Sequence, residues 1–133
     1  MRTISLQGRV FSDRDDMEII LKAMIEAAIA APSPDNNQPW LFRTTQEGLK
    51  VYLAPHRSLP SDEASMFDLT GLGAAIENAV LAASKHRRAV DVLLGAFQAP
   101  EWEVAELRLA GNASPDPLAE AISARCTCRK PYD

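Results

Sequence analysis

The ten residues APSPDNNQPW, positions 31–40, interrupt an alanine-rich helical stretch and decide how the chain is organised. Pro32 and Pro34 cannot continue a helix, and each biases the residue before it towards extended backbone. The preceding helix is therefore predicted to end at about Ala31. The stiffened loop that follows, residues 31–39, is called the proline loop below. From composition alone it is either a plain helix-to-strand connection, with Trp40 filling the core, or a ligand-contacting loop on a rigid scaffold.

The residues on either side of the proline loop predict one helix and one β-hairpin. Apolar residues recur at helical spacing over 13–31, Ser12 is a plausible N-cap, and the first turn is acidic, which suits the positive end of a helix. After the loop, residues 41–45 and 49–55 are strand-like and are separated by the short connection QEG. We therefore expect these two strands to pair as a hairpin.

The second half of the chain predicts a long helix followed by two further strands. The helix spans 61–86, and its small residues GLGAA at 71–75 allow another backbone to approach closely. Strand-like patterns follow at 89–95 and 102–111, and residues 118–130 read as a short helix. The predicted fold class is α+β, with helices packed on a mixed or antiparallel sheet.

Composition indicates one ordinary domain and argues against two classes of partner. The chain has 133 residues, of which 47% are hydrophobic and 24% charged. Its formal charge of −4 argues against nucleic-acid binding, which needs a basic face. We find no signal sequence and expect no membrane span, because no stretch approaches the roughly 20 apolar residues that a span needs. The predicted location is cytoplasmic.

The titratable and sulfur-containing residues predict neither a metal site nor a catalytic group. Cys126 and Cys128 flank a single threonine, which suits free thiols in a reducing compartment better than a disulfide or a metal site. His56 lies in a predicted loop and His86 at a predicted helix end, where structural roles are expected. No acid or nucleophile stands out as catalytic.

The proline loop, in its helix-then-strand context, resembles a motif of the FMN-dependent nitroreductase family. That family carries the pattern PSxxNxQPW at the end of such a helix. The matching residues are Pro32, Ser33, Asn36, Gln38, Pro39 and Trp40. Upstream, GRVFSD at 8–13 is similar to the tail of the family's RRSxRxF opening, but SLQG stands where the front of that motif would be.

The end of the chain carries a second, shorter resemblance to the same family. AISARCTCRKPYD at 121–133 is similar to an Arg-x-Thr/Ser-x-Arg-x-Pro-aromatic pattern, and GLGAAIENAVLAA at 71–83 is similar to the family's subunit-interface helix. This order resembles double-length nitroreductase-like proteins, whose two half-repeats mimic a dimer within one chain. The resemblance implies that residues 1–133 form one incomplete nitroreductase-like domain, in which 118–133 resemble the start of a second half-repeat.

The resemblance also implies a cofactor and its binding residues. Pro32, Ser33 and Asn36 would contact the FMN ring edge, with Gln38 as a brace of the loop. The phosphate would be held by the arginine segment, which we define as residues 125–129. Its matching residues are Arg125, Thr127 and Arg129, with Tyr132 just beyond. From the residues alone, a solvated basic tail explains this segment equally well.

The function implied is an FMN-dependent NAD(P)H oxidoreductase that reduces nitroaromatic, quinone or similar acceptors by ping-pong hydride transfer. Hydride transfer is the chemistry of the cofactor, so no catalytic side chain is required. The alternative is a flavin-binding or interaction half-domain without turnover by itself. The expected partners are NAD(P)H, a small-molecule electron acceptor, and a second copy or partner chain that meets the helix over 61–86.

Overall fold

The first long helix, α1 (Asp13–Ala28), forms where the apolar spacing predicts it. The computed structural model describes residues 3–4, 10–11 and 13–131. Ile20, Leu21, Met24 and Ala28 are the buried side chains of α1, and acidic residues occupy its first turn. The helix ends three residues before the predicted boundary because Ala30 and Ala31 turn through bonds to carbonyls three residues back. The expected N-cap Ser12, most of the GRVFSD stretch and Tyr132 lie outside the described residues.

In the described part of the chain, six strands form two antiparallel sheets. The short strands β1 (Thr3–Ile4) and β2 (Val10–Phe11) pair with each other. The main sheet has the order β3-β4-β6-β5, and all its pairings are antiparallel, which decides between the mixed and antiparallel alternatives. Its strands are β3 (Trp40–Thr44), β4 (Gly48–Leu53), β5 (Arg88–Leu94) and β6 (Glu103–Asn112).

The predicted hairpin is confirmed as β3 and β4, with Trp40 opposite Leu53 and Thr44 opposite Leu49. The backbone N–H of Gly48 donates to the Thr45 hydroxyl at 3.0 Å and stabilises the turn. A side chain at Gly48 would overlap the backbone carbonyl of Leu107 in β6. Glycine is therefore required where these two strands approach.

The second long helix, α2 (Met66–Lys85), begins five residues later than predicted. Its start is capped by Asp62, whose two carboxylate oxygens accept from the backbone N–H groups of Phe67 and Asp68, each at 2.9 Å. The core lies between the two helices and one face of the main sheet. Its largest fully buried apolar side chains are Met24, Leu49, Val51, Leu72 and Leu107.

By length and composition, residues Glu63–Lys85 are apolar enough to cross a membrane, with a mean hydropathy of 1.2. This differs from the expectation that no stretch would approach that limit. In the fold, the helix places Leu72, Ala75 and Ala79 in the core and also buries the carboxylate of Asp68. It therefore packs as the core helix of a small soluble-type domain.

Of the short helix predicted over 118–130, only the first residues, as far as Ala121, are helical. Residues Pro117–Ala121 form a single 3-10 turn, capped by Asp116, whose carboxylate accepts from the N–H of Leu118 at 2.9 Å. The chain beyond Ala124 has no regular secondary structure as far as Pro131. The physical reason is that Cys126, Thr127 and Cys128 have low helix propensity, and the residue before Pro131 is biased away from helical backbone.

Candidate functional site

The proline loop has an unusual backbone for a loop without glycine. Asp35, Asn36 and Gln38 have positive φ angles of 45°, 55° and 49°. Asp and Asn tolerate left-handed backbone better than other non-glycine residues, whereas glutamine at such an angle is strained. The hydroxyl of Ser33 accepts a hydrogen bond from the Gln38 backbone N–H at 3.0 Å and so closes the loop on itself.

The proline loop rests directly on α2. A Cβ atom at Gly71 would lie 3.1 Å from the backbone carbonyl oxygen of Pro32 and 3.5 Å from Cα of Ser33. The prediction that GLGAA admits a close backbone is thus confirmed at Gly71. At Gly73, a Cβ would meet no described atom within 4 Å. The close approach of the proline loop to α2 therefore depends on Gly71 and not on Gly73.

The side chain of Asn37 ties the loop to the buried start of α2. Its Nδ2 donates to the Asp68 carboxylate Oδ1 at 2.8 Å and to the Arg57 backbone carbonyl at 3.0 Å. Arg57 returns a bond, because its Nη1 donates to the Gln38 carbonyl at 3.0 Å. Sequence reasoning named Gln38 as a brace of the loop but missed Asp68 and Arg57 as partners of the loop. The available signal was an acidic residue, Asp68, on the apolar side of a core helix.

The arginine segment lies near the proline loop and against the residue before it, Ala30, although Arg125 and Ala30 are 95 positions apart in sequence. Arg125 Nη2 donates to the Ala30 backbone carbonyl at 3.1 Å, and Nη1 donates to the Thr127 hydroxyl at 3.1 Å. Arg129 Nη1 lies 3.9 Å from the Asp35 carboxylate, and both side chains are largely exposed, at 66% and 76%. The fold thus brings together the two motifs that carry the family resemblance.

The residues predicted to contact a flavin ring are all at least partly accessible to solvent. Ser33 is half-buried, and Pro32 and Asn36 are exposed. Asn36 Oδ1 lies 3.5 Å from Gln38 Nε2, which gives Gln38 the expected bracing position. Trp40, directly after the loop, is only 4% exposed and belongs to the hydrophobic core, so its predicted role as a core residue is confirmed.

A large cleft is present elsewhere in the described part of the chain. It has a volume of about 1200 Å³ and lies between α1 and the turn of the hairpin. Its lining residues are Asp13, Arg14, Met17, Glu18, Leu21, Lys22, Ile25, Glu26, Thr44, Thr45 and Gln46. None of the predicted site residues belongs to this set. The candidate site, formed by the proline loop and the arginine segment, therefore lies outside this cleft.

The two cysteines lie within the arginine segment, and the two histidines lie elsewhere in the chain. Cys126 and Cys128 are free and exposed, which agrees with the expectation of unpaired thiols. His86 follows the last residue of α2, and His56 lies in a 3-10 turn. Within residues 3–4, 10–11 and 13–131, no group of three or more His, Cys, Asp or Glu side chains is arranged to hold a metal ion.

Comparison with known proteins gives one partial relative. No protein-family model matches the chain. The uncharacterized protein MT1398 of Mycobacterium tuberculosis (strain CDC 1551 / Oshkosh) is 42% identical to it over 62 residues. The match covers 47% of this chain but only 9% of that protein. The chain is therefore similar to a small part of a much longer polypeptide.

Proposed function

We propose that this chain is a nitroreductase-like half-domain that binds FMN and takes part in an NAD(P)H-dependent oxidoreduction in the cytoplasm. The observation that carries the proposal is the position of the arginine segment against the proline loop. Two motifs of one family resemblance, far apart in sequence, meet on one surface.

The donor chemistry of the arginine segment fits a phosphate. The two described partners of Arg125, the Ala30 carbonyl and the Thr127 hydroxyl, are neutral, so its positive charge is available to an anion. The described contact of Arg129, with Asp35, is long and exposed, and a dianion would readily replace it. Guanidinium groups bind phosphate oxygens through paired, charge-assisted hydrogen bonds.

The proline loop fits the polar edge of a flavin. The Ser33 hydroxyl oxygen accepts from the Gln38 N–H and retains its own hydrogen for donation. Asn36 presents an exposed amide beside it, on backbone that is already fixed. FMN, when bound, would supply the hydride chemistry, and these residues would orient it. Both polar groups are therefore assigned to binding.

The exposed apolar surface supports a further chain or half-domain as partner. Most of the α2 face that we expected to meet a partner is buried within this chain, but Met66 and Phe67 at its start are more than half exposed. The edge strand β5 leaves Val92, Leu93 and Leu94 exposed. These surfaces favour a homodimer or partner chain, and they also suit the alternative of an interaction half-domain without turnover.

The test is flavin binding by fluorescence titration. The variant Arg125→Gln/Arg129→Gln is compared with the wild-type chain, and Lys130→Gln is the control for a neighbouring positive charge. Losing two charge-assisted contacts of about 1.5–3 kcal/mol each should raise the Kd for FMN about 100-fold or more. Lys130→Gln should bind nearly as well as the wild type, and riboflavin, which lacks the phosphate, should not distinguish the variants.

Two results would contradict the proposal. If the double variant binds FMN as tightly as the wild type, the phosphate is not held by the arginine segment. If the wild-type chain binds neither FMN nor riboflavin at millimolar concentration, the surface is not a flavin site. Flavin binding without NADH or NADPH oxidation would favour the alternative, a flavin-binding or interaction half-domain without turnover by itself.

A further inference from the structure

The buried polar atoms without partners concentrate at one point of the molecule. Among the described residues, the buried side-chain atoms that lack a hydrogen-bond partner are Asn37 Oδ1, Ser58 Oγ and Asp68 Oδ2. They belong to one connected group, because the Asn37 amide bonds both to Asp68 and to the carbonyl of Arg57, the residue before Ser58. This point lies beneath the proline loop, where it crosses α2.

Burying the carboxylate of Asp68 at this position is energetically unfavourable. The residue is fully buried, and its side chain has one described hydrogen bond, to Asn37. The positive end of α2 offsets only part of the cost of removing the charge from water. An apolar residue of similar size at such a site is often neutral or stabilising. Global stability therefore does not explain Asp68.

The carboxylate of Asp68 provides a hydrogen-bond acceptor in the core for Asn37 in the strained proline loop. Asn37 lies between Asn36 and Gln38, two residues with positive φ. Its Nδ2 can reach both Asp68 and the Arg57 carbonyl only while the loop keeps this backbone. Left-handed backbone at non-glycine residues costs free energy and persists only when surrounding contacts enforce it.

We infer that Asp68 is a positioning residue, which acts through Asn37 to hold the proline loop in the conformation that presents Ser33 and Asn36. Its consequence for FMN rests on the proposed function, but its effect on the loop does not. If Asp68 had a purely structural role, the order of the loop and the global stability would fall together. Replacing Asp68 should loosen the loop without a matching loss of global stability.

The experiment measures amide hydrogen exchange by NMR in the ligand-free chain. In Asp68→Leu, the amides of Asn37 and Gln38 should exchange at least tenfold faster, while those of Val51 and Leu107 in the sheet change little. Asp68→Asn retains an acceptor for Asn37 and should keep most of the loop protection. Glu77→Leu likewise replaces an acidic residue of α2 by leucine, but at an exposed position, and should leave the exchange of the loop amides unchanged.

The outcomes decide the inference whether or not FMN binds. Wild-type exchange at Asn37 and Gln38 in Asp68→Leu, or an increase no larger than that of the sheet amides, would overturn it. If Asp68→Leu does not fold, Asn37→Leu tests the same link from the loop side, with the same expectation and the same contrary result. Where the wild type binds FMN, Asp68→Leu should weaken binding about tenfold. Failure of the wild type to bind FMN contradicts the proposed function and leaves the exchange test intact.

Discussion

The proline loop and the arginine segment meet on one surface, but they are held in different ways. The loop is fixed by Trp40 in the core, by the packing of Pro32 on Gly71, and by the bond from Asn37 to buried Asp68. The arginine segment is exposed along its length; Arg125 bonds to Ala30, just before the loop, and Arg129 lies near Asp35 within it. The proline loop is therefore preformed, whereas the exposed side chains of the arginine segment are free to change conformation.

This difference has a consequence for binding. A preformed loop loses little conformational entropy when a ligand arrives, whereas long exposed side chains must be ordered at that moment. The loop should therefore determine the shape of the site, and the arginine segment should supply charge. Changes in the packing supports of the loop, Trp40 and Gly71, should alter stability strongly, and changes in the segment should alter it weakly.

The largest effect is expected from removing the anchor of the loop. Trp40→Ala should lower the free energy of unfolding by about 3–5 kcal/mol, because it empties a core position at the first residue of β3. Urea denaturation measures the change. Leu41→Ala, at the next residue, is the control, since that side chain is 46% exposed and should cost much less. Equal losses at the two positions would show that the loop is not anchored in the core.

The packing of the loop on α2 should give the next largest effect. Gly71→Val should destabilise the chain by about 1–3 kcal/mol, because the new side chain presses on the Pro32 carbonyl. Gly73→Val places the same side chain in open space two residues away and should change stability by less than about 0.5 kcal/mol. Urea denaturation of both variants gives the comparison. Equal effects would mean that the loop moves freely over the helix.

The arginine segment should contribute less to stability. Arg125→Gln removes a hydrogen bond to the Ala30 carbonyl near the end of α1 and should cost about 0.5–1 kcal/mol. Arg129→Gln removes only the exposed 3.9 Å contact with Asp35 and should fall within about 0.5 kcal/mol of the wild type. Thermal denaturation without ligand measures both. A loss above about 2 kcal/mol at either arginine would make the segment structural.

The smallest effect on stability is expected at the surface ion pair between Arg108 and Glu106. This pair, at 3.0 Å, is a reference for the longer contact between Arg129 and Asp35, at 3.9 Å. On the outer face of the sheet, the hydrogen bond from Arg108 to Glu106, at 3.0 Å, lowers the pKa of the Glu106 carboxyl. A lowered pKa contributes stability that is present above pH about 4.5 and is lost as the pH falls through the folded-state value. In Arg108→Gln, NMR titration should show the Glu106 pKa rising. An unchanged pKa would mean that the pair is not formed in solution.

The sequence by itself determined most of the secondary structure. Helical spacing located α1 and α2, alternating strand patterns located β3 to β6, and the two prolines marked where the first helix must give way to a loop. These are local effects, since each depends on the backbone preferences and apolar spacing of neighbouring residues. The same local information failed after Ala121, where apolar residues suggested a helix but the residues up to Pro131 do not support one.

Only the tertiary structure decided how the candidate site is built. The motif letters pointed to residues 32–38 and 125–129 separately, but chain folding was needed to place Arg125 on Ala30 and Arg129 near Asp35. The same holds for Asn37 and Asp68, which are 31 positions apart and meet because Gly71 lets the loop approach α2. Such contacts depend on how elements pack, and a pattern of neighbouring residues carries no information about which distant side chain will lie across the interface.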